Sequence, residues 1–386
     1  MKKLYVLFAF VLWGITQIAE AQNVYRNYLS VYGAPKPKSA VSVVHNSGYV
    51  YFFQADASGN LSATEIDPLS MLPTGNNMFY HLSIPDVSNF EFYLNGGFED
   101  ANGNFVLFGY YHRYITTYSY YICPAYFTIT SNLTNCNPYY YTTSGVFTDG
   151  CAGYDVNGTE VYVFVNNGEL AAINLGNPSL SKRITLITGQ IYPDQYTDIS
   201  WDDINGHFIA SGSAWNSPTG HEDPFVAVFD LLASFAINPV AEFFICLPPC
   251  EKGSEYKSLH TQLDGNNLIL YHDLRRENNP DVYDIIWLTR INNFLNVPTA
   301  GIVESVLYEL PNAKIFATDM LYDRYNNRLN FLGYFNYCKK GLTHLLAQVN
   351  PYSLSSGIKI GQLGATFMGD TCLNLQDSFT IFFNND

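Results

Sequence analysis

Positive charge is scarce in this sequence. Lys and Arg together number 19 against 34 Asp and Glu, and the formal net charge is −15. A surface of that sign repels phosphate backbones, which excludes nucleic acid as an expected partner. Charge of either sign is sparse, at 14% of residues, whereas a disordered acidic chain would be charge-rich and poor in aromatics. Long apolar runs are missing beyond the first few residues. The longest later candidate, Leu231 to Leu247, is broken by Asn238-Pro239 and carries Glu242. Motifs of chemistry are missing too. There is no GxSxG elbow, no HExxH pair, no phosphate-binding glycine loop and no dinucleotide fingerprint after a strand. No catalytic residue is assigned, and the expectation leans away from an enzyme.

What the chain does have is aromatic bulk, 16% Phe, Trp and Tyr with 31 Tyr, enough for a large core. It also has a leader. Lys2 and Lys3 precede an apolar run from Leu4 to about Ile15, and Ala19-Glu20-Ala21 puts small residues before Gln22. That order is a secretory signal peptide over residues 1–21, with a run short of the roughly 20 residues that span a bilayer. The mature chain, residues 22–386, is expected to be exported, either secreted or held at the cell surface or in the periplasm. No transmembrane segment is expected after cleavage.

Seven Cys in an exported chain point to oxidised pairs with one thiol left over. Cys246 and Cys250 could close a small loop. Cys338 with Cys372, and Cys123 with Cys151, could staple neighbouring repeats. Cys123 with Cys136 across one hairpin is the competing arrangement.

The fold is carried by a repeat. Turns between apolar strands recur at His45-Asn46-Ser47-Gly48, Asp100-Ala101-Asn102-Gly103, Asp155-Val156-Asn157-Gly158 and Asp203-Ile204-Asn205-Gly206. Further copies stand at Asp264–Asn267, Asp323–Asn327 and Gln376-Asp377-Ser378. From Gly48 to Ser378 the spacings are 55, 55, 48, 60, 61 and 51. A period near 50 with about four strands per unit is the pattern of propeller blades. Six units also carry a third strand ending in a polar turn, as in Phe225-Val226-Ala227-Val228-Phe229-Asp230. The expected fold is all-β: one seven-bladed β-propeller of four-stranded antiparallel blades. Its last blade would be closed by the mature N-terminus around Val24 to Val31, which removes an open sheet edge.

These Asp/Asn-Gly hairpins and third strands resemble secreted bacterial β-propeller repeat proteins. The resemblance implies a structural framework and names no activity. Many such proteins continue into a C-terminal sorting domain, and no such domain is read here.

Two sets of residues stand out as sites. Eight or nine residues before the turn marker, at the mouth of each first strand, stand Asp149, Asp198, Asp319 and Asp370, with Asn95 in a fifth unit. Carboxylates round an axis could hold calcium, the one cofactor considered, or act as acid and base on a sugar. The structural alternative is that each accepts backbone amides where one blade hands over to the next, and repetition with the fold favours it. The second set is the aromatic segment with Tyr111, Arg113 and Tyr114, together with Trp215 on a loop of the same face; such side chains anchor glycans or protein partners. The expected function is therefore a non-catalytic binding propeller for a glycan or protein at its loop-rich face. The rivals are a glycan-active hydrolase or lyase using axial carboxylates, and a structural envelope or matrix component.

Overall fold

The computed structural model describes residues 39–55, 59–67, 72–82, 90–116, 119–176, 181–184, 195–216, 221–244, 255–264, 267–275, 285–295, 302–309, 313–323, 328–337, 342–350 and 358–363. The proposed leader, its cleavage site and the seventh turn marker fall outside these residues. Within them the chain is all-β and antiparallel, in six four-stranded sheets that follow one another along the sequence.

The first sheet is β1 (Ser39–Val44), β2 (Val50–Ala55), β3 (Asn60–Asp67) and β4 (Leu72–His81), and the second is β5 (Phe90–Glu99), β6 (Phe105–Thr116), β7 (Ser119–Ile129) and β8 (Cys136–Tyr140). The third holds β9 (Phe147–Tyr154), β10 (Glu160–Asn166), β11 (Glu169–Asn174) and β12 (Ser181–Ile184). The fourth holds β13 (Gln195–Asp202), β14 (His207–Asn216), β15 (His221–Leu231) and β16 (Ile237–Phe244). Then come β17 (Glu255–Asp264), β18 (Asn267–Arg275), β19 (Ile285–Asn292) and β20 (Ile302–Glu309). The sixth sheet is β21 (Ala313–Asp323), β22 (Arg328–Tyr337), β23 (Leu342–Val349) and β24 (Ile358–Leu363). In every sheet the strands lie side by side in chain order. Each of the first six turn markers falls in sequence between the first and second strands of one sheet, which is where the repeat places it.

The turns themselves differ from the tight two-residue type that Asn-Gly favours. Gly103 N donates to Asp100 O at 3.0 Å while Asp100 N donates to Asn104 O at 2.8 Å, and Gly158 and Asp155 repeat this at 2.8 and 2.9 Å. Only the glycine takes positive φ, +76° at Gly103 and +75° at Gly158. This is a three-residue hairpin ending in a glycine bulge. Asp supplies the opening carboxylate, since Asp155 Oδ1 accepts from the amides of Asn157 and Thr159 at 2.9 Å each.

Successive sheets pack through their first strands: β1 on β5, β5 on β9, β9 on β13, β13 on β17, and β17 on β21. Strand alternation explains why. On β6, Phe105, Leu107 and Tyr111 enter an apolar layer shared with Val41, Val43 and Phe53 of the first sheet. Val106 and Phe108 enter the next layer, with Tyr162, Phe164 and Ile173 of the third. On β10 the odd residues Val161, Val163 and Val165 face the fourth sheet's Phe208, Phe225 and Phe229. The other face of the fourth sheet, with Ile209, Val226 and Val228, packs on Leu268 and Ile291 of the fifth. Each fully buried side chain of this size contributes about 1.5–3 kcal/mol, so burial on both faces is the main source of cohesion.

Hydrogen bonds bolt the turns to the neighbouring sheet. Asn46 N donates to Glu99 Oε2 at 2.8 Å, Ala101 N to Glu160 Oε1 at 2.7 Å, and Val156 N to Leu231 O at 2.9 Å. Close sheet contact also demands small residues. A Cβ on Gly153 of β9 would lie 2.4 Å from the Trp201 ring and 2.5 Å from Phe208. Gly153→Ala is therefore expected to lower stability by about 1–3 kcal/mol, the usual range for overpacking. Urea denaturation checks this, with an unchanged midpoint as the contrary result.

Candidate functional site

The axial residues come first, because the repeat singles them out. All five first strands from β5 to β21 carry a one-residue register shift, and four of the shifts fall at the residues in question. Asn95 is the extra residue on β5, between Leu94 and Gly96. Thr148, Thr197 and Thr318 are the extra residues on β9, β13 and β21, each directly before an Asp. The recurring Thr-Asp pair is thus the signature of a β-bulge, which twists the strand and re-aims the following side chain. Thr148 and Thr197 hydroxyls point to the carbonyls of Val165 and Ser211, at long distances of 3.4 and 3.5 Å.

Re-aimed in this way, the side chains reach the next sheet. Asp149 Oδ2 accepts from Ile199 N of β13 at 2.7 Å, and Asn95 Nδ2 donates to Phe147 O of β9 at 2.8 Å. Ser39 of β1 does the same job one sheet earlier, its Oγ accepting from Leu94 N at 2.7 Å. Four successive sheets are therefore joined, at each of three junctions, by a side chain of a first strand. Asp149 thus accepts a backbone amide of the next sheet, whereas Asn95 donates to a backbone carbonyl there. Asp198 sits half-buried on β13 opposite Ser211, and Asp319 lies on β21 opposite Leu332. Asp370 falls outside the described residues. Asp149 and Asp198 both act on Cys151, whose thiol is pushed well above its ordinary range, first by burial and then by these two carboxylates. Among the described residues no group of three or more His, Cys, Asp or Glu is placed to hold a metal ion.

The cysteine pairing needs correction. Cys123, Cys136 and Cys151 are free thiols. Cys123 belongs to the apolar layer between the first and second sheets, whereas Cys151 packs in the layer between the third and fourth, so no bridge can join them. Cys136 stands opposite Ile129, six residues along β7 from Cys123, a separation of roughly 20 Å at about 3.3 Å per residue. A disulfide needs α-carbons within about 7 Å. Burial pushes the Cys136 thiol up to about 12. Cys246, Cys250, Cys338 and Cys372 fall outside the described residues.

The aromatic segment divides in two. β6 and β7 extend past the sheets beside them as a long hairpin, and alternation sends neighbouring residues to opposite faces. Tyr111 is only 1% exposed, with its hydroxyl donated to Tyr141 O at 2.9 Å, so it is a core residue and no surface anchor. Arg113 pairs across the ladder with Tyr121. The other face carries Tyr110, His112 and Tyr114 of β6, Tyr120 of β7, and two residues of β5, Glu91 and Tyr93. Tyr93 and Tyr110 stack at 4.8 Å, His112 and Tyr120 at 4.2 Å, and Tyr114 lies 5.5 Å from Tyr120. His112 lies 5.0 Å from Tyr93, which makes the rings one continuous surface.

Glu91 lies within this surface, opposite His112 in the ladder. It accepts from Tyr93 OH at 2.6 Å and lies 3.8 Å from His112 Nδ1. Burial first, then the Glu91 carboxylate, raises the phenols of Tyr93 and Tyr114 above their ordinary range, and burial raises Tyr110 as well. These hydroxyls stay protonated, and that of Tyr93 is spent on Glu91. Tyr120, 47% exposed, is the outermost ring. Glu91 and Tyr93 were not singled out in the sequence; the alternation Phe90-Glu91-Phe92-Tyr93 was the available signal. Trp215 is half-buried and lies on β14 in register with Glu222, so the ladder includes residues that the sequence reads as a loop.

No protein-family model matches the chain, and no curated protein matches it in sequence. Solved structures do resemble it. The periplasmic gluconolactonase of Pseudomonas aeruginosa superposes with a TM-score of 0.50 at 9% identity, covering 86% of each chain. A protein from Lactobacillus plantarum reaches 0.46 at 10% identity, over 85% of this chain and 84% of that one. The WD40 domain of Neurospora crassa Pan2 reaches 0.44 at 8% identity, over 87% and 81%. The fold is propeller-like. At such low identity the likeness to the gluconolactonase concerns the fold alone and carries no chemistry to this chain.

Removal of the Asp149 carboxylate should be a stability effect. Asp149→Ala, which leaves the buried Ile199 amide unpaired, is expected to cost about 1–3 kcal/mol, while Asp149→Asn keeps an acceptor oxygen and recovers most of it. Thermal denaturation of the two variants checks this; equal losses would contradict the role assigned to Oδ2.

Proposed function

We propose that this chain is an exported, non-catalytic propeller that binds a glycan on the aromatic face of the β6–β7 hairpin. The observation that carries this reading is the continuous surface of Tyr93, Tyr110, His112, Tyr114 and Tyr120 around the Glu91 carboxylate. A sugar ring has apolar C–H faces and a rim of hydroxyls. Aromatic rings cover the first, and a carboxylate with phenol hydroxyls meets the second. The rings are held by one another and by the ladder, so little side-chain entropy is lost on binding.

The propeller of this reading has seven four-stranded blades. The six sheets account for six turn markers, and Gln376-Asp377-Ser378 supplies a seventh at the same spacing. The mature N-terminus completes that last blade. Lys2, Lys3, the apolar run and Ala19-Glu20-Ala21 support export, with a secreted, surface or periplasmic location. The rival reading, axial carboxylates as acid and base, has less support because Asp149 is committed to a backbone amide.

A glycan array probed with the mature chain tests this, followed by titration of the best-retained glycan. Tyr120→Ala and Tyr114→Ala should each weaken binding about tenfold, equivalent to ~1.4 kcal/mol, with melting temperatures close to the parent. Tyr121→Ala, on the opposite side of the hairpin, should bind as the parent does. Retention of no glycan, or full affinity in Tyr120→Ala, would refute the proposal.

A further inference from the structure

A second candidate lies at the opposite end of the sheets, on the side of the turns. An open cleft between the third and fourth sheets is lined by Tyr154, Asp155, Val156, Trp201, Gly206 and Asp230. Its parts are rigid for separate reasons. Trp201 lies against Phe208 at 4.7 Å and over Gly153, where any side chain would collide with the indole. Tyr154 meets the indole edge-on at 5.9 Å and 68°, so the two rings form a corner. The Val156 N to Leu231 O bond of 2.9 Å ties the turn of one sheet to the end of the next.

The polar lining has one sign. Asp155 Oδ1 is occupied by the amides of Asn157 and Thr159, and among the described residues its Oδ2 has no hydrogen-bond partner. Asp230 is held by His207 Nδ1 at 2.6 Å and Asn238 Nδ2 at 3.2 Å. No Lys or Arg lines the cleft. An indole is the best aromatic partner for a cation, and carboxylates beside it add direct attraction. We propose that this cleft is a binding site for an organic cation, an alkylammonium group set in the Trp201–Tyr154 corner and facing Asp155 Oδ2. The group has two sources of the same chemistry, a free aliphatic amine and the lysine side chain of a polypeptide. The site is separate from the glycan face, which lies at the other end of the second sheet.

The test follows the Trp201 indole N–H by nitrogen-15 NMR in the mature chain, with its resonance assigned through Trp201→Phe. The probes are 1,5-diaminopentane and N-acetyl-lysine amide, with 1-pentanol and methyl glucoside as neutral controls. A saturable shift with either cation supports the proposal; the diamine alone points to free amines, and the blocked lysine alone points to a polypeptide. Asp155→Asn, which keeps the Oδ1 acceptor and hence the turn, should weaken binding tenfold or more, and raised salt should weaken it further. Tyr120→Ala should leave the shift unchanged, whatever becomes of glycan binding. No saturable shift with either cation, equal affinity in Asp155→Asn, or an equal response to a neutral control would overturn it.

Discussion

Phe105, Val106, Leu107 and Phe108 are consecutive in one strand and all buried. A strand allows this only if both of its faces are covered, because neighbouring side chains point to opposite sides. Val161 to Val165 and Phe225 to Phe229 repeat the condition in the next two sheets. A sheet of this kind cannot bury itself alone. It needs a neighbour on each side, and a succession of such sheets forms a stack. That two-sided apolarity is the constraint from which the rest of the architecture follows.

Stacking sheets through their first strands creates a second problem, the exposed polar backbone where the chain enters each sheet. The bulges at Asn95, Thr148, Thr197 and Thr318 answer it by turning side chains from the ladder toward the neighbouring sheet. Ser39, Asn95 and Asp149 then bond the following backbone, while Glu99 and Glu160 clasp turns at the other end. Of the polar groups that recur with the repeat, Asn95 and Asp149 are consumed in assembly. This is why a carboxylate recurring with the repeat carries less functional weight than a feature found in one sheet.

The features found in one place are the overhanging β6–β7 hairpin and the Trp201 cleft. Both arise where the stack is interrupted. On the hairpin, the faces that continue the core layers run past their neighbours, so Tyr110, His112 and Tyr114 extend the line of Val106 and Phe108 into solvent. At the cleft, Gly153 lets an indole cross from one sheet to the next and brings it beside two carboxylates. Recognition surfaces are thus built from core packing carried beyond the core.

Strand content, the antiparallel hairpin, the period and the position of six turns are local properties, written in alternation and in Asp/Asn-Gly chemistry, and the sequence alone determined them. It also carried the Thr-Asp recurrence, though not its cause, since a bulge is a relation between two strands. The separation of Tyr111 from Tyr114 was legible in principle from period two, but the depth of the neighbouring sheet decided which face was core. The stacking of Tyr93 on Tyr110, the placing of Glu91 beside them, and the parting of Cys123 from Cys151 into different layers rest on register and sheet order. Those are contacts between residues distant in the chain, and only the tertiary structure decided them.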